Sequence, residues 1–236
     1  MDQYIDINTP DGDFAAYIAR PASGPAPAVV VLHEVFGVNA DIRATCDELA
    51  AAGFVAIAPE LYWRQRPGLD LNLWSENDWK VGLALNAAYD RDQGVKDIAA
   101  VVSAARSLPG ASGMVGVMGF CIGGLMTFLM AAREQVDAAV AYHGGETEKY
   151  LSDGASITSP LLMHFGGRDE YIPPEAQAAI RTTLADKPNV TICTYPENYH
   201  AFARHGGAHY DPVAAALANK RTRAFLGAHL HLPPQG

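Results

Sequence analysis

Cys121 lies between two glycines, where an apolar run typical of a β-strand gives way to a run typical of a helix. In Gly119-Phe-Cys121-Ile-Gly123 the small residues leave room for a strand and a helix to pack closely around a sharp turn. A thiol on such a turn stands clear of the fold and faces the positive end of a helix, which favours a thiolate and an adjacent oxyanion. The spacing therefore predicts a nucleophilic cysteine; the alternative is a buried structural thiol.

An acid and a histidine follow the cysteine, each just after a predicted strand. Asp169 comes after the apolar run 161–165, and His200 lies on a loop after the run 190–195. Open α/β sheets carry their functional groups at the carboxyl ends of strands, and the order nucleophile, acid, histidine is that of α/β-hydrolases. We therefore predict a triad of Cys121, Asp169 and His200; the alternatives are a turn-forming aspartate and a surface histidine.

The elements that must position these residues alternate along the chain. Two short strands around the turn Pro10-Asp11-Gly12-Asp13 predict an N-terminal antiparallel hairpin. Further strands are predicted at 28–33, 54–59, 115–119, 138–142, 161–165 and 190–195. Helices are predicted at about 41–52, 92–106, 122–134, 174–185 and 212–226. This alternation predicts an α/β-hydrolase fold, a mostly parallel sheet with an N-terminal antiparallel hairpin and helices on both faces.

A length of 236 residues and a hydrophobic content of 49% favour a single domain over residues 1–236. The segment at about 60–90 differs in composition from the rest and holds all three tryptophans, Trp63, Trp74 and Trp79. Aromatic residues in an insertion punctuated by Pro and Gly indicate a lid over a pocket, or alternatively a satellite core beneath a long loop.

The composition excludes several classes of partner. The net charge of −9 disfavours nucleic acid and anionic membranes, because both require a basic face. No apolar run is long enough to span a membrane and the N-terminus lacks the features of a signal peptide, so we expect a cytoplasmic protein. The 3 cysteines make a disulfide framework unexpected. The histidines at 200, 205 and 209 lie close in sequence, but Gly206-Gly207 predicts a loop there and not a helix that would align metal ligands, so we expect neither a metal nor a cofactor.

Several motifs along the chain fit one family pattern. They are His33-Glu34-Val-Phe-Gly-Val-Asn39, Pro59-Glu-Leu-Tyr62 with Arg64-Gln65, Gly119-Phe-Cys121-Ile-Gly-Gly124, Gly166-Gly-Arg-Asp169 and His200-Ala-Phe-Ala-Arg204. With these motifs the chain resembles the dienelactone hydrolase (carboxymethylenebutenolidase) family, from the hairpin to Leu226. The resemblance implies that Cys121 is the nucleophile, that His200 is its base and acid, and that Asp169 orients His200.

The same resemblance implies further roles around the nucleophile. The backbone N–H groups of Val35 and Ile122 would form an oxyanion hole. The carboxylate of Glu34 would pair with the thiol of Cys121 in the resting enzyme, and Arg204 would bind a carboxylate of the substrate.

The position of Glu34 also supports a role on physical grounds. Glu34 follows the strand beside the one that leads to Cys121, so its carboxylate can approach the thiol. A carboxylate there disfavours the thiolate and can accept the thiol proton when substrate arrives. The alternative is a loop carboxylate that pairs with Arg64 or Arg204.

The chain departs from the family pattern at three positions. Trp79 stands where the family has a second arginine, Leu83 stands where it has a tyrosine, and Ala201 stands where it often has serine. Phe36 and Tyr142 complete the residues that we expect to contact substrate. These three replacements put apolar side chains where the family has a charged group and hydroxyl groups, and this weakens the case for a small, doubly charged substrate.

These observations predict a cysteine-nucleophile hydrolase that opens a lactone or a small activated ester through an acyl-thioester on Cys121. Two alternatives are a hydrolase of larger or more apolar esters and a ligand-binding protein that keeps the fold without turnover. The expected partner is the small-molecule substrate, and the expected state is a monomer or a small homo-oligomer.

Overall fold

Eight strands form one mixed sheet in the computed structural model, which describes residues 3–22 and 24–232. The strands are β1 Tyr4–Thr9, β2 Gly12–Ala19, β3 Ala26–Leu32, β4 Val55–Pro59, β5 Ala111–Phe120, β6 Ala138–Tyr142, β7 Leu161–Gly166 and β8 Val190–Tyr195. Their order across the sheet is β1-β2-β4-β3-β5-β6-β7-β8. The β1–β2 and β2–β4 pairs are antiparallel, and the other neighbouring pairs are parallel. The predicted hairpin and mostly parallel sheet are confirmed.

Helices cover both faces of this sheet. They are α1 Ala40–Ala51, α2 Glu76–Ala87, α3 Arg91–Arg106, α4 Ile122–Arg133, α5 Pro174–Leu184 and α6 Pro212–His229, with a 3₁₀ segment at Thr147–Ser156. The apolar sides of α1 and α6 pack into one core cluster, and those of α3, α4 and α5 pack into another. The predicted helices on both faces are therefore confirmed. Within the described residues, no helix combines the length and apolar character that a membrane crossing requires.

The parallel strands bring distant parts of the chain to one edge. Because β3, β5, β6, β7 and β8 run in the same direction, the loops that follow them meet at the carboxyl end of the sheet. Those loops carry Glu34, Cys121, His143, Asp169 and His200 in that order. Strand direction therefore brings residues 34 and 200, which are far apart in sequence, to the same edge of the sheet, where both line one cavity.

Cys121 differs from the residues that precede four other helices, because its side chain does not cap the helix that follows it. Asn39, Ser75, Asp90 and Asp211 each precede a helix and accept hydrogen bonds from its first N–H groups. Cys121 occupies the same position before α4 but makes no capping bond with its side chain. Its thiol is therefore free for another role.

The segment at about 60–90 divides into two parts. Trp63 stacks on Phe14 at 5.0 Å between ring centroids, so this end is a satellite core against the hairpin. Trp79 packs edge-on against Phe36 at 4.7 Å, nearer the carboxyl end of the sheet. A Cβ atom on Gly82 would lie 2.5 Å from the carbonyl oxygen of Val35, which shows how closely α2 covers the loop after β3. The lid role of this segment stays a prediction.

Candidate active site

The turn that carries Cys121 has the strained geometry expected of a nucleophile turn. Cys121 has φ 55° and ψ −118°, a left-handed conformation that non-glycine residues rarely adopt. A Cβ atom on Gly119 would lie 2.3 Å from the carbonyl oxygen of Gly123, and one on Gly123 would lie 2.3 Å from that of Leu32. Neither glycine can be replaced without moving backbone. The close packing inferred from the Gly-x-Cys-x-Gly spacing is thus present.

His143, the residue directly after β6, contacts the strained turn at Cys121. The backbone N–H of Cys121 donates to the carbonyl oxygen of Tyr142 at 3.1 Å and to Nδ1 of His143 at 3.2 Å. Burial, together with the charges of His200 and Arg204, holds the pKa of His143 well below its usual range, so its ring is neutral. Because Nδ1 accepts a hydrogen bond, the ring proton resides on Nε2. His143 also has a positive φ of 36°, which sequence patterns do not reveal.

His200 and Asp169 form a buried, well-oriented pair. Nδ1 of His200 lies 3.0 Å and 2.9 Å from the two carboxylate oxygens of Asp169. The carboxylate is itself fixed, because Oδ1 accepts from the backbone N–H groups of Tyr171 at 2.9 Å and Ile172 at 3.2 Å. This leaves Nε2 of His200 to face the nucleophile.

The electrostatics of His200 fit a proton carrier. Burial by itself lowers the pKa of His200, but the neighbouring Cys121 and the bond to Asp169 outweigh it and raise the pKa. Nε2 is buried and makes no hydrogen bond of good geometry to any residue of the described part of the chain. The structure thus brings Cys121, Asp169 and His200 together with the imidazole suited to hold a proton beside a thiolate.

Val35 and Ile122 are the two residues whose backbone N–H groups are predicted to bind an oxyanion, and that role stays a prediction. Ile122 is the first residue of α4, where the backbone N–H has no partner within the helix. Val35 lies in the turn after β3, and both residues line the same cavity as Cys121. His33 secures this turn, since its Nε2 accepts from the backbone N–H of Leu61 at 3.0 Å. Burial lowers the pKa of His33 to about 4, so it is a neutral structural residue.

Glu34 and Arg204 form a buried ion pair. Oε2 of Glu34 accepts from Nε and Nη2 of Arg204, both at 2.8 Å, and the two residues are only 4% and 9% exposed. In the described residues Glu34 makes no hydrogen bond to Cys121. The expected resting contact with the thiol is therefore not what this structure shows, and the alternative partner Arg204 is found. The other alternative, Arg64, pairs with Asp97 and Asp11 instead.

We expect Glu34→Gln to make Cys121 more reactive. Removing the carboxylate leaves the guanidinium of Arg204 uncompensated beside the thiol, and both changes favour the thiolate. Alkylation of Cys121 by iodoacetamide at neutral pH should rise about 3- to 10-fold, measured by mass spectrometry of the peptide that contains Cys121. Folding stability should fall by ~3 kcal/mol, because a buried charge loses its partner.

Glu175→Gln is the matched control, since Glu175 is an exposed glutamate on α5. It should change neither the alkylation rate nor the stability. Equal alkylation of Glu34→Gln and wild type, with both shown to be folded by circular dichroism, would exclude this influence of Glu34 on the thiol.

A cavity of about 350 Å³, the catalytic cavity, opens in front of Cys121. Its wall includes the aromatic pair Phe36 and Trp79, and the indole of Trp79 is held by a 2.7 Å bond from Nε1 to the carbonyl oxygen of Leu73. Leu83 adds further apolar surface. Arg204 also lines the cavity, with its guanidinium 5.3 Å from the ring of Phe36. The apolar surface expected from Trp79 and Leu83 is present.

Tyr142 does not lie in this cavity. Its side chain is fully buried on the opposite face of the sheet, where its hydroxyl contacts Thr222 at 2.6 Å and Asn219 at 3.0 Å on α6. The expectation that Tyr142 contacts substrate is corrected by this position. The physical reason is the two-residue alternation of β6, which sends Ala141 to one face and Tyr142 to the other.

The sequence analysis did not single out several other residues of the cavity wall. Tyr171 packs edge-on against His200 at 4.8 Å between ring centroids, and only its closeness to Asp169 along the chain pointed to it. Glu146, just before the 3₁₀ segment that follows β6, and Glu148 and Lys149 within that segment also line the cavity. Within the described residues no three His, Cys, Asp or Glu side chains are grouped so as to hold a metal ion.

The mostly parallel sheet, the hairpin and the strand–cysteine–helix turn place this chain among the α/β-hydrolases. The family model for the dienelactone hydrolase family matches residues 14–230. A putative carboxymethylenebutenolidase of Azospirillum brasilense is 42% identical over 230 residues, covering 95% of this chain and 99% of that protein. The chain belongs to the dienelactone hydrolase family and is a hydrolase of that family.

Two further relatives agree with this assignment. The carboxymethylenebutenolidase of Pseudomonas putida is 39% identical over 223 residues, covering 94% of each chain. The crystal structure of a putative dienelactone hydrolase from Klebsiella pneumoniae subsp. pneumoniae MGH 78578 superposes with a TM-score of 0.85 at 32% identity. It covers 95% of this chain and 97% of the Klebsiella chain.

Proposed function

We propose that this protein is a cysteine-nucleophile hydrolase that opens a lactone or cleaves a small activated ester through an acyl-thioester on Cys121. The observation that carries the proposal is the meeting of Cys121 with the His200–Asp169 pair at the wall of an apolar cavity. A nucleophile, a base held by a third group and a cavity for substrate are the parts that acyl transfer requires.

The steps follow from the placement of these groups. The sulfur of Cys121 attacks the carbonyl carbon while His200 holds the thiol proton at Nε2. The N–H groups of Val35 and Ile122 stabilise the negative charge on the carbonyl oxygen. The carbon–oxygen bond of the ester then breaks and His200 returns the proton to the departing oxygen. Water, deprotonated by His200, hydrolyses the thioester and frees the thiol.

The chemistry of sulfur favours activated esters over amides. A thiolate is a good nucleophile at neutral pH, but it is also a better leaving group than an amine. The nitrogen of an amide must therefore be protonated before the carbon–nitrogen bond of the tetrahedral intermediate can break in preference to the carbon–sulfur bond. Enol lactones and aryl esters, whose leaving oxygens are acidic, suit this site better.

The cavity supports a substrate with both a polar and an apolar part. Arg204 offers a guanidinium to a carboxylate, but its charge is already matched by Glu34, so an anionic substrate must compete with that ion pair. Trp79, Phe36 and Leu83 offer apolar surface. This apolar surface supports a second candidate function, the hydrolysis of larger or more apolar esters by the same mechanism. The complete triad argues against the remaining alternative, a binding protein without turnover.

We also propose a cytoplasmic location, supported by the free thiols of Cys46, Cys121 and Cys193, because reduced cysteines suit a reducing compartment. The state of a monomer or a small homo-oligomer stays a prediction.

Turnover of a dienelactone and of aryl esters with increasing acyl length tests the proposal. We expect hydrolysis of the dienelactone and of short acyl esters, with kcat/KM falling when the acyl chain outgrows a cavity of about 350 Å³. A kcat/KM that rises steadily with acyl length would support the second candidate instead. Tight binding of the dienelactone without any product over many hours would contradict an enzymatic function on this substrate.

A further inference from the structure

A second cavity of about 340 Å³ lies beside the catalytic cavity. The two cavities share four wall residues, Trp79, Tyr171, His200 and Arg204. In the described part of the chain, Cys121, Val35 and Ile122 line the catalytic cavity but not the second one. The second cavity therefore reaches the proton carrier of the triad without reaching its nucleophile or oxyanion donors.

The orientation of His200 relates this cavity to a reaction step. Asp169 binds Nδ1, so Nε2 is the nitrogen that handles the proton, and it is buried without a well-formed hydrogen bond to any described residue. When the sulfur of Cys121 bonds to the acyl carbon, the bond from that carbon to the alkoxy oxygen breaks. The thiol proton passes through His200 to the departing oxygen, which must lie within hydrogen-bond reach of Nε2. The alcohol half of a substrate accordingly lies on the His200 side.

We propose that the second cavity, here called the leaving-group cavity, binds the uncharged aromatic alcohol half of an open-chain ester while the acyl half occupies the catalytic cavity. This inference rests on the proposed function and extends its substrate class. A lactone keeps its alcohol tethered to its acyl carbon and fits within one cavity. Two cavities that meet at the triad suit an ester with two separate halves.

The aromatic walls of the leaving-group cavity select the chemistry of the alcohol. Trp74 lines it with 71% of its surface exposed, and Tyr171 lines it with 52% exposed. The turn under Trp74 is fixed, because its backbone N–H donates to Oδ1 of Asn72 at 2.9 Å and the N–H of Asn72 donates to Asp78 at 2.8 Å. The exposed indole on this turn offers an aromatic ring a surface to pack against.

The charges around the leaving-group cavity disfavour an anionic alcohol. The carboxylate of Glu170 lines it, accepting from the backbone N–H of His200 at 3.3 Å and lying 3.5 Å from Nδ1 of His209. Arg204, the cation in the shared wall, is already paired with Glu34. A second carboxylate here would meet the negative charge of Glu170, whereas a neutral ring meets no such opposition.

Two esters with the same acyl group test the inference. One carries a phenol and the other a fluorinated aliphatic alcohol of similar pKa, so that their intrinsic reactivities match. We expect the wild type to prefer the phenyl ester in kcat/KM, and Trp74→Ala to lose about 5-fold on the phenyl ester and clearly less on the fluoroalkyl ester, which has no ring to pack against the indole. Trp74→Phe, which keeps a ring, should retain most of the preference.

Tyr4→Ala is the control, since Tyr4 is an exposed aromatic on the edge strand β1 that lines neither cavity, and it should leave both rates unchanged. Turnover of both esters with no effect of Trp74→Ala, or an equal loss on both, would overturn the leaving-group cavity while leaving the proposed function intact. Absence of turnover of either ester by the folded wild type would overturn the proposed function, and this inference with it.

Discussion

Replacing Cys121 with alanine is expected to lower kcat/KM for an activated aryl ester by about 10⁴-fold or more. Alanine keeps the Cβ atom that the turn already accommodates at φ 55° and removes only the sulfur. The oxyanion donors and the cavity then remain, so substrate should still bind with a similar affinity. Steady-state kinetics with wild type and variant at equal concentration measures the loss.

Cys193→Ala is the matched control for this variant. Cys193 is also a free, half-buried cysteine, but it lies on β8 and does not line the catalytic cavity. We expect it to keep wild-type activity. Comparable activity in Cys121→Ala and wild type, after contaminating esterase has been excluded by active-site titration, would remove Cys121 from its role.

Replacing Asp169 with asparagine is the second change with a large expected effect, a fall in kcat of about 10³- to 10⁴-fold. The carboxylate accepts from Nδ1 of His200, so Nε2 is the nitrogen that exchanges a proton with the thiol. An amide in the same place offers N–H donors to Nδ1 and favours the tautomer with its proton on Nε2. The variant also removes an interaction that raises the pKa of His200.

Asp186→Asn, at an exposed position after α5, serves as the control for the charge change and should keep full activity. Thermal unfolding followed by circular dichroism will show whether Asp169→Asn remains folded, since Asp169 also accepts from two backbone N–H groups. A folded Asp169→Asn variant within about tenfold of the wild-type kcat would contradict the role of Asp169 as the group that orients His200.

The fold was predictable from sequence because its signals are local. Runs of β-branched residues, helix caps and the glycines around Cys121 each act within a few neighbours. The prediction of Asp169 and His200 used one rule about topology, namely that parallel strands end at a common edge. The structure places both residues there, next to Cys121.

What was not predicted depends on contacts or on backbone angles that sequence patterns do not carry. The partner of Glu34 lies 170 residues away; the thiol of Cys121 was the expected partner, with Arg64 or Arg204 as the alternative, and the structure shows Arg204. Tyr142 was misplaced because β6 is buried on both faces, so hydrophobic alternation could not show which face each residue takes. His143 entered the site only through its contact with the backbone N–H of Cys121.

The acyl-thioester on Cys121 is the central claim, and intact-protein mass spectrometry after rapid acid quench tests it most directly. With an activated ester whose alcohol leaves readily, acylation should outrun hydrolysis of the thioester and give a burst of product. The account predicts a mass increase equal to one acyl group, located on the peptide that contains Cys121 and absent from Cys121→Ala. Product formation that is linear from the first turnover with an unmodified protein mass, or an acyl group on another residue, would contradict it.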